Sequence, residues 1–218
     1  MKKSLLLLLS ILIVRQLTAQ GVKFGVNVDP SINWLSPVTN SIDRDGVQMG
    51  ISGGLVIEKY FQKNYAVQTG ISIGTQGGKL LFNNESVFHT EDGVDSLASG
   101  TTVDFNLNYV TIPLSLKLKT NQIGYFSYYA RLGFTNQLKI KSTAESSDGS
   151  LDKEKIVDEI RFFDIGYHFG AGIEYAISES TAFDIGVSYH NGFINISRNP
   201  DSHKMNSRVV ALRLGVMF

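Results

Sequence analysis

RFFDIGYHFGAGIEYAI, residues 161–177, divides its side chains between two faces of an extended chain. Phe163, Ile165, Tyr167, Phe169, Ala171, Ile173, Tyr175 and Ile177 fall on one face; Asp164, Gly166, His168, Gly170, Gly172, Glu174 and Ala176 fall on the other. A repeat of two is the signature of a β-strand. The two faces differ in bulk as well as polarity. The apolar one is aromatic and branched, and the polar one is glycine, small residues and a few charges.

The same partition recurs along the chain. Phe183, Ile185, Val187 and Tyr189 oppose Asp184, Gly186, Ser188 and His190. Phe126, Tyr128, Leu132, Phe134 and Leu138 oppose Ser127, Tyr129, Arg131, Gly133 and Lys139. In the closing RVVALRLGVMF, Val210, Leu212, Leu214, Val216 and Phe218 share a wholly apolar face. Eight alternating segments are predicted, near 22–34, 48–61, 65–80, 105–119, 125–141, 160–177, 181–196 and 207–218. Only LDKEKIVDEI, residues 151–160, suggests a helical turn, and it reads equally well as the protruding end of a strand.

The connections alternate in length. Those around 62–64, 120–124 and 178–180 are short, whereas those through 35–47, 83–104, 142–159 and 197–206 are long and polar. An eight-stranded antiparallel up-and-down order puts every short turn at one end and every long loop at the other, as in outer-membrane barrels. The interior of such a barrel is just wide enough for side chains. Aromatic residues at every second position of eight strands would overfill it, so the bulky face is expected outside. A soluble monomer rarely exposes more than a few hundred Å² of contiguous apolar surface; lipid accepts it. The expected fold is an all-β transmembrane barrel, and Phe218 is the expected barrel-closing terminal aromatic, leaving no unpaired edge in the hydrocarbon.

The start of the chain fits an exported protein. Lys2 and Lys3 precede ten almost wholly apolar residues, 5–14, followed by Leu17, Thr18 and Ala19, the layout of a secretory signal peptide. Ten residues span only about 15 Å as a helix, roughly half a hydrocarbon core. The expected organisation is therefore a cleaved signal peptide, 1–19, and a barrel domain, 20–218. Twenty basic and twenty acidic residues balance, so nothing recruits nucleic acid. With no cysteine, disulfide frameworks and thiolate metal sites are excluded.

NYVTIPLSLKLK, residues 108–119, resembles a stretch of the PorT-like outer-membrane β-barrel proteins of Gram-negative bacteria. GVKFGVNVDPSI at 21–32, YYARLGF at 128–134, DIGYHFGAGIEY at 164–175 and LRLGVMF at 212–218 extend the resemblance over essentially the whole mature chain, with Tyr109 to Pro113 its most specific part. The resemblance implies an eight-stranded barrel; its namesake's link to secretion and gliding machinery is not carried over.

The polar face carries Lys23, Asp29, Glu58, Lys117, Arg131, Lys139, Asp164, Glu174, Asp184 and Arg213. Unpaired buried charges are costly, so mixed signs in a narrow lumen most simply neutralise one another. Arg213 is expected to pair with at least one of Glu58, Glu174 and Asp184. His168 and His190 should lie at one height on adjacent strands, a hydrogen-bonded pair or, with Asp164, a conceivable metal site. Ser188 and His190 share a face at spacing i, i+2, but no nucleophile elbow or phosphate-binding loop accompanies them. The expected function is a non-enzymatic barrel with a plugged, charge-lined lumen and no cofactor. It would serve as a structural or interaction scaffold through its loops, with outer-membrane lipid and the barrel-assembly machinery as partners. The alternatives are a small selective channel, a secretion-machinery component, or a soluble periplasmic lipocalin-like carrier.

Overall fold

The computed structural model describes residues 21–90, 93–156, 159–198 and 204–218. The expected signal peptide lies outside them. Among the described residues twelve strands follow in order: β1 Val22–Pro37, β2 Ile42–Gly46, β3 Gln48–Gln62, β4 Tyr65–Phe82, β5 Ser86–His89, β6 Val94–Leu97, β7 Thr101–Lys119, β8 Phe126–Ser146, β9 Glu154–Lys155, β10 Phe163–Ala176, β11 Ala182–Gly192 and β12 Met205–Met217. Eight of them, β1, β3, β4, β7, β8, β10, β11 and β12, pair antiparallel with their neighbours, and the β1–β12 pairing closes the barrel. Beyond the end of β12, Phe218 and Phe24 exchange backbone hydrogen bonds of 2.7 and 3.2 Å.

The short turns gather at one end and the long connections at the other. A transmembrane strand needs about 9–11 residues. β4, β7 and β8 have 18, 19 and 21, and the surplus carries their ends roughly 25–35 Å farther along the strand at 3.3 Å per residue. β2 pairs with the extension of β4, β9 with that of β8, and β5 and β6 form a hairpin of their own. The 151–160 stretch contributes β9 rather than a helical turn, because Lys155 and Glu154 find ladder partners in Thr143 and Ala144.

In the membrane half, Phe24, Val28, Ile51, Leu55, Leu114, Leu132, Phe169 and Leu214 are among the large apolar residues exposed on the outer surface. Two aromatic groups bound this band. Trp34, Tyr167, Phe169, Tyr189 and Phe193 cluster toward the loop end, with ring centroids 5.2–6.5 Å apart. Tyr125, Phe126 and Tyr175 cluster at the turn end, with centroids 5.1–5.9 Å apart. Tyr167 and Tyr175 stand about 26 Å apart along β10, or about 20 Å along the axis after a tilt of roughly 40°, close to the ~25 Å apolar band of such barrels.

Pro113 sits within this band. It has no N–H to give β4, and the β4–β7 ladder lacks the pairs between Thr69↔Leu114 and Ser72↔Thr111. Side chains answer the carbonyls there: Thr69 Oγ1 donates to the Pro113 carbonyl at 2.8 Å, and Asn136 Nδ2 donates to that of Ile112 at 3.3 Å.

Above the band the faces exchange character. On β7, Val103, Phe105, Leu107 and Tyr109 point inward and are buried, while Thr102, Asp104, Asn106 and Asn108 point outward. Below Tyr109 the same inward parity carries Ser115 and Lys117, and the outward one carries Val110, Ile112, Leu114, Leu116 and Leu118. A register shift opposite Asn108 and Tyr109 leaves Ile140 of β8 as an extra, outward residue at the exchange. Every long connection adds to the apolar interior: Ile42 from the first, Phe88 and Leu97 from the second, Leu151, Ile156 and Ile160 from the third, Ile196 from the fourth. The apolar interior of this end was not among the expectations drawn from the sequence. The loops are polar on average, yet they fold over a core of their own and cap the barrel.

Candidate functional site

Two charged clusters cross the lumen near its turn end. Lys117 on β7 is buried; its Nζ donates to Glu58 Oε1 at 2.6 Å and also to Glu174 Oε1. Lys119 donates to the other oxygen of Glu174. Glu58 accepts further bonds from Tyr60 Oη and Gln68 Nε2, each at 2.9 Å. In the second cluster Arg213 Nε donates to Asp184 Oδ2 at 2.9 Å, and Tyr129 Oη donates to Oδ1 at 2.5 Å. Lys117 Nζ stands 4.5 Å from the centre of the Tyr129 ring, which joins the clusters into one layer. Each carboxylate in the layer is bonded through both oxygens, the condition under which buried ion pairs are tolerated.

Strand register produces this convergence. Glu174 faces Asp184 across β10 and β11, Lys117 faces Arg131 across β7 and β8, and Glu58 faces Gln68 across β3 and β4. Sequence reading named Glu58, Lys117, Glu174, Asp184 and Arg213. Tyr60, Gln68, Lys119 and Tyr129 complete the layer; Tyr60 and Lys119 lie two residues from Glu58 and Lys117, so the same parity could have located them.

Arg131 and Asp164 stand apart from this layer. Arg131 is only 6% exposed, yet its Nε has no hydrogen-bond partner, and among the described residues no carboxylate pairs with it. Asp164 is buried, and among the described residues neither side-chain oxygen has a hydrogen-bond partner. Lys139 lies at the base of the cap, donating to the Ile160 carbonyl at 2.6 Å. Asn27 Nδ2 donates to Asp29 Oδ2 at 2.8 Å.

His168 and His190 are register partners, at one height. They do not bond to each other. His168 Nε2 and Nδ1 each lie 2.7 Å from a hydroxyl, of Ser115 and Thr135 respectively, while both nitrogens of His190 lack partners among the described residues. Neither Ser188 nor Asp164 bonds to His190, and among the described residues no three His, Asp or Glu side chains form a metal-holding group.

A family model described as an outer membrane protein β-barrel domain matches residues 16–198. Solved structures of similar shape include Neisserial surface protein A (18% identity, 91% of this chain and 98% of that chain, TM-score 0.48). Others are the attachment invasion locus protein Ail of Yersinia pestis, in complex with the heparin analogue sucrose octasulfate (14%, 91% and 100%, TM-score 0.45), and OprG of Pseudomonas aeruginosa (14%, 91% and 95%, TM-score 0.45). No curated protein sequence matches the chain. A soluble periplasmic carrier is not compatible with the family match and the lipid-suited outer face. The chain belongs to the outer membrane protein β-barrel domain family and is a β-barrel protein of the outer membrane.

Proposed function

We propose that the protein is a non-enzymatic outer-membrane scaffold, with a lumen plugged by its own side chains and an ordered extracellular cap that serves as an interaction surface. The cap core carries this reading. Ordering a loop costs about 1–2 kcal/mol per residue in backbone entropy, a cost that a mere connection between strands has no need to meet. Here all four long connections bury apolar side chains, among them Phe88, Leu97, Leu151 and Ile156, against the ends of β4, β7 and β8. The result is a fixed external surface on a membrane-held base.

The ion-pair layer supports a barrel that does not conduct freely, since Lys117 on β7 bridges to Glu58 on β3 and Glu174 on β10 while Arg213 holds Asp184 on the neighbouring strand. Ser188 and His190 share no hydrogen bond, so catalysis gains no support there. Membership among PorT-like barrels, contact with outer-membrane lipid, and recognition of Phe218 by the barrel-assembly machinery belong to the same proposal.

Planar-bilayer recording tests it. The wild type is expected to show no large steady conductance, and Arg213→Ala to leak or to unfold at a lower midpoint. A large, steadily open wild-type pore, unchanged in current and stability by Arg213→Ala, would refute the scaffold and make a selective channel the better reading.

A further inference from the structure

Between the ion-pair layer and the cap lies a cavity of about 130 Å³, lined among others by Asp29, Gln68, Arg131, His168, His190 and Arg213. A cavity needs about 10–15 Å³ to hold one water, so a molecule of several heavy atoms fits. Gly170 packs against this wall: a Cβ there would stand 2.8 Å from the Val187 carbonyl and 3.1 Å from Arg131 Nε.

Two charges in this wall lack an oppositely charged partner. Arg131 and Arg213 repel one another, and Asp184 is already taken by Arg213 and Tyr129. Asp29, on β1, lines the same cavity as both guanidiniums, yet among the described residues no ion pair joins it to either. Its Oδ1 is buried and unbonded. A buried guanidinium without a counter-charge and a buried carboxylate oxygen without a donor are each costly, and both line the cavity.

We propose that the lumen is a binding site for a small oxyanion that also carries a hydroxyl, such as monohydrogen or dihydrogen phosphate, held between Arg131 and Asp29. The anionic oxygens accept hydrogen bonds from Arg131, whose planar fork suits an oxyanion. The ligand's own O–H donates to Asp29 Oδ1, which would repel an anion lacking that proton. His190, 9% exposed with two unbonded ring nitrogens, supplies a further polar contact. A divalent cation fits less well, because both nitrogens of His168 are engaged by hydroxyls and two guanidiniums face the space. The site depends on the lumen alone and stands whether or not the cap binds a partner.

Equilibrium dialysis of the full-length protein in detergent against radiolabelled phosphate tests the site. Saturable binding is expected, unaffected by equal sulfate, which has no proton to offer Asp29. Arg131→Gln should weaken it roughly tenfold or more, the effect of losing a hydrogen bond to a charged group, and Arg131→Lys should retain part of it. Should Arg131→Gln fail to form a heat-modifiable barrel, the sulfate competition on the wild type decides. No saturable binding, equal competition by sulfate, or undiminished binding by a folded Arg131→Gln would each overturn the proposal.

Discussion

The two halves of β7 obey opposite rules. From Val110 to Lys119 the strand turns Ile112, Leu114 and Leu116 outward and Ser115 and Lys117 inward; from Thr101 to Tyr109 it turns Val103, Phe105 and Leu107 inward and Asp104 and Asn106 outward. The pleat never changes parity along it. What changes is the solvent. In lipid the outside is the apolar phase, so polar groups retreat to the lumen and must satisfy one another. Above the membrane the outside is water, and the ordinary preference for a buried apolar interior returns. One strand therefore spans a membrane protein and a soluble domain, and the exchange at Tyr109 and Val110 marks the boundary between them.

The contrast predicts which substitutions each half cannot bear. The largest effect is expected in the membrane half from Lys117→Met, which leaves Glu58 and Glu174 sharing a buried site without their common cation. Removing one member of a buried ion pair costs about 3–5 kcal/mol, so the midpoint of urea unfolding in detergent should fall sharply. If Lys117→Met instead raises the midpoint, the lumen tolerates apolar filling and the two halves are less different than the hydrogen bonds indicate.

In the cap the damaging change is loss of apolar bulk. Leu107→Ala should cost about 3 kcal/mol through the cavity it leaves. Protease digestion should then cut the hairpin Ser86–Leu97 before the barrel opens. Equal protection of hairpin and barrel in Leu107→Ala would argue against a separately packed cap.

The smallest effect concerns Asp148 at the rim of the cap. Its Oδ1 accepts from Ser146 Oγ at 2.6 Å and from Ser150 Oγ at 2.5 Å, and Thr101 Oγ1 donates to Oδ2 at 3.1 Å. These bonds favour the charged form and hold its carboxyl well below the usual carboxylate range. A lowered value in the folded chain means that the contribution is complete above about pH 4, the ordinary aspartate value, and fades only as the pH falls further. Asp148→Ala should leave the global midpoint unchanged while speeding amide exchange at Ser150 and Leu151. In the wild type that protection should persist at pH 4.

The membrane half was legible in the sequence, and the cap was not. Alternation over 161–177 and 207–218 named the outward face, because lipid demands a bulky apolar residue at every second position. Glu58, Lys117, Glu174, Asp184 and Arg213 followed as the residues on the opposite parity. Their pairing required the shear of the barrel, which no single segment encodes. The cap left a fainter trace: Ile42, Leu97, Leu151 and Ile196 are isolated apolar residues in polar stretches, and only β4, β7 and β8 give them something to pack against. Arg131 obeyed the parity and still found no carboxylate, since register placed Lys117 opposite it and Glu58 and Glu174 beside Lys117.

The boundary within β7 is open to direct measurement. Single cysteines at Asn106 and Leu114, both outward and both on β7, can be labelled with one fluorophore in reconstituted barrels and exposed to a lipid-dissolved or a water-dissolved quencher. The inversion predicts that the lipid quencher acts at 114 and the aqueous one at 106. Quenching of both positions by the lipid-dissolved reagent would place the whole strand in the membrane and contradict the cap.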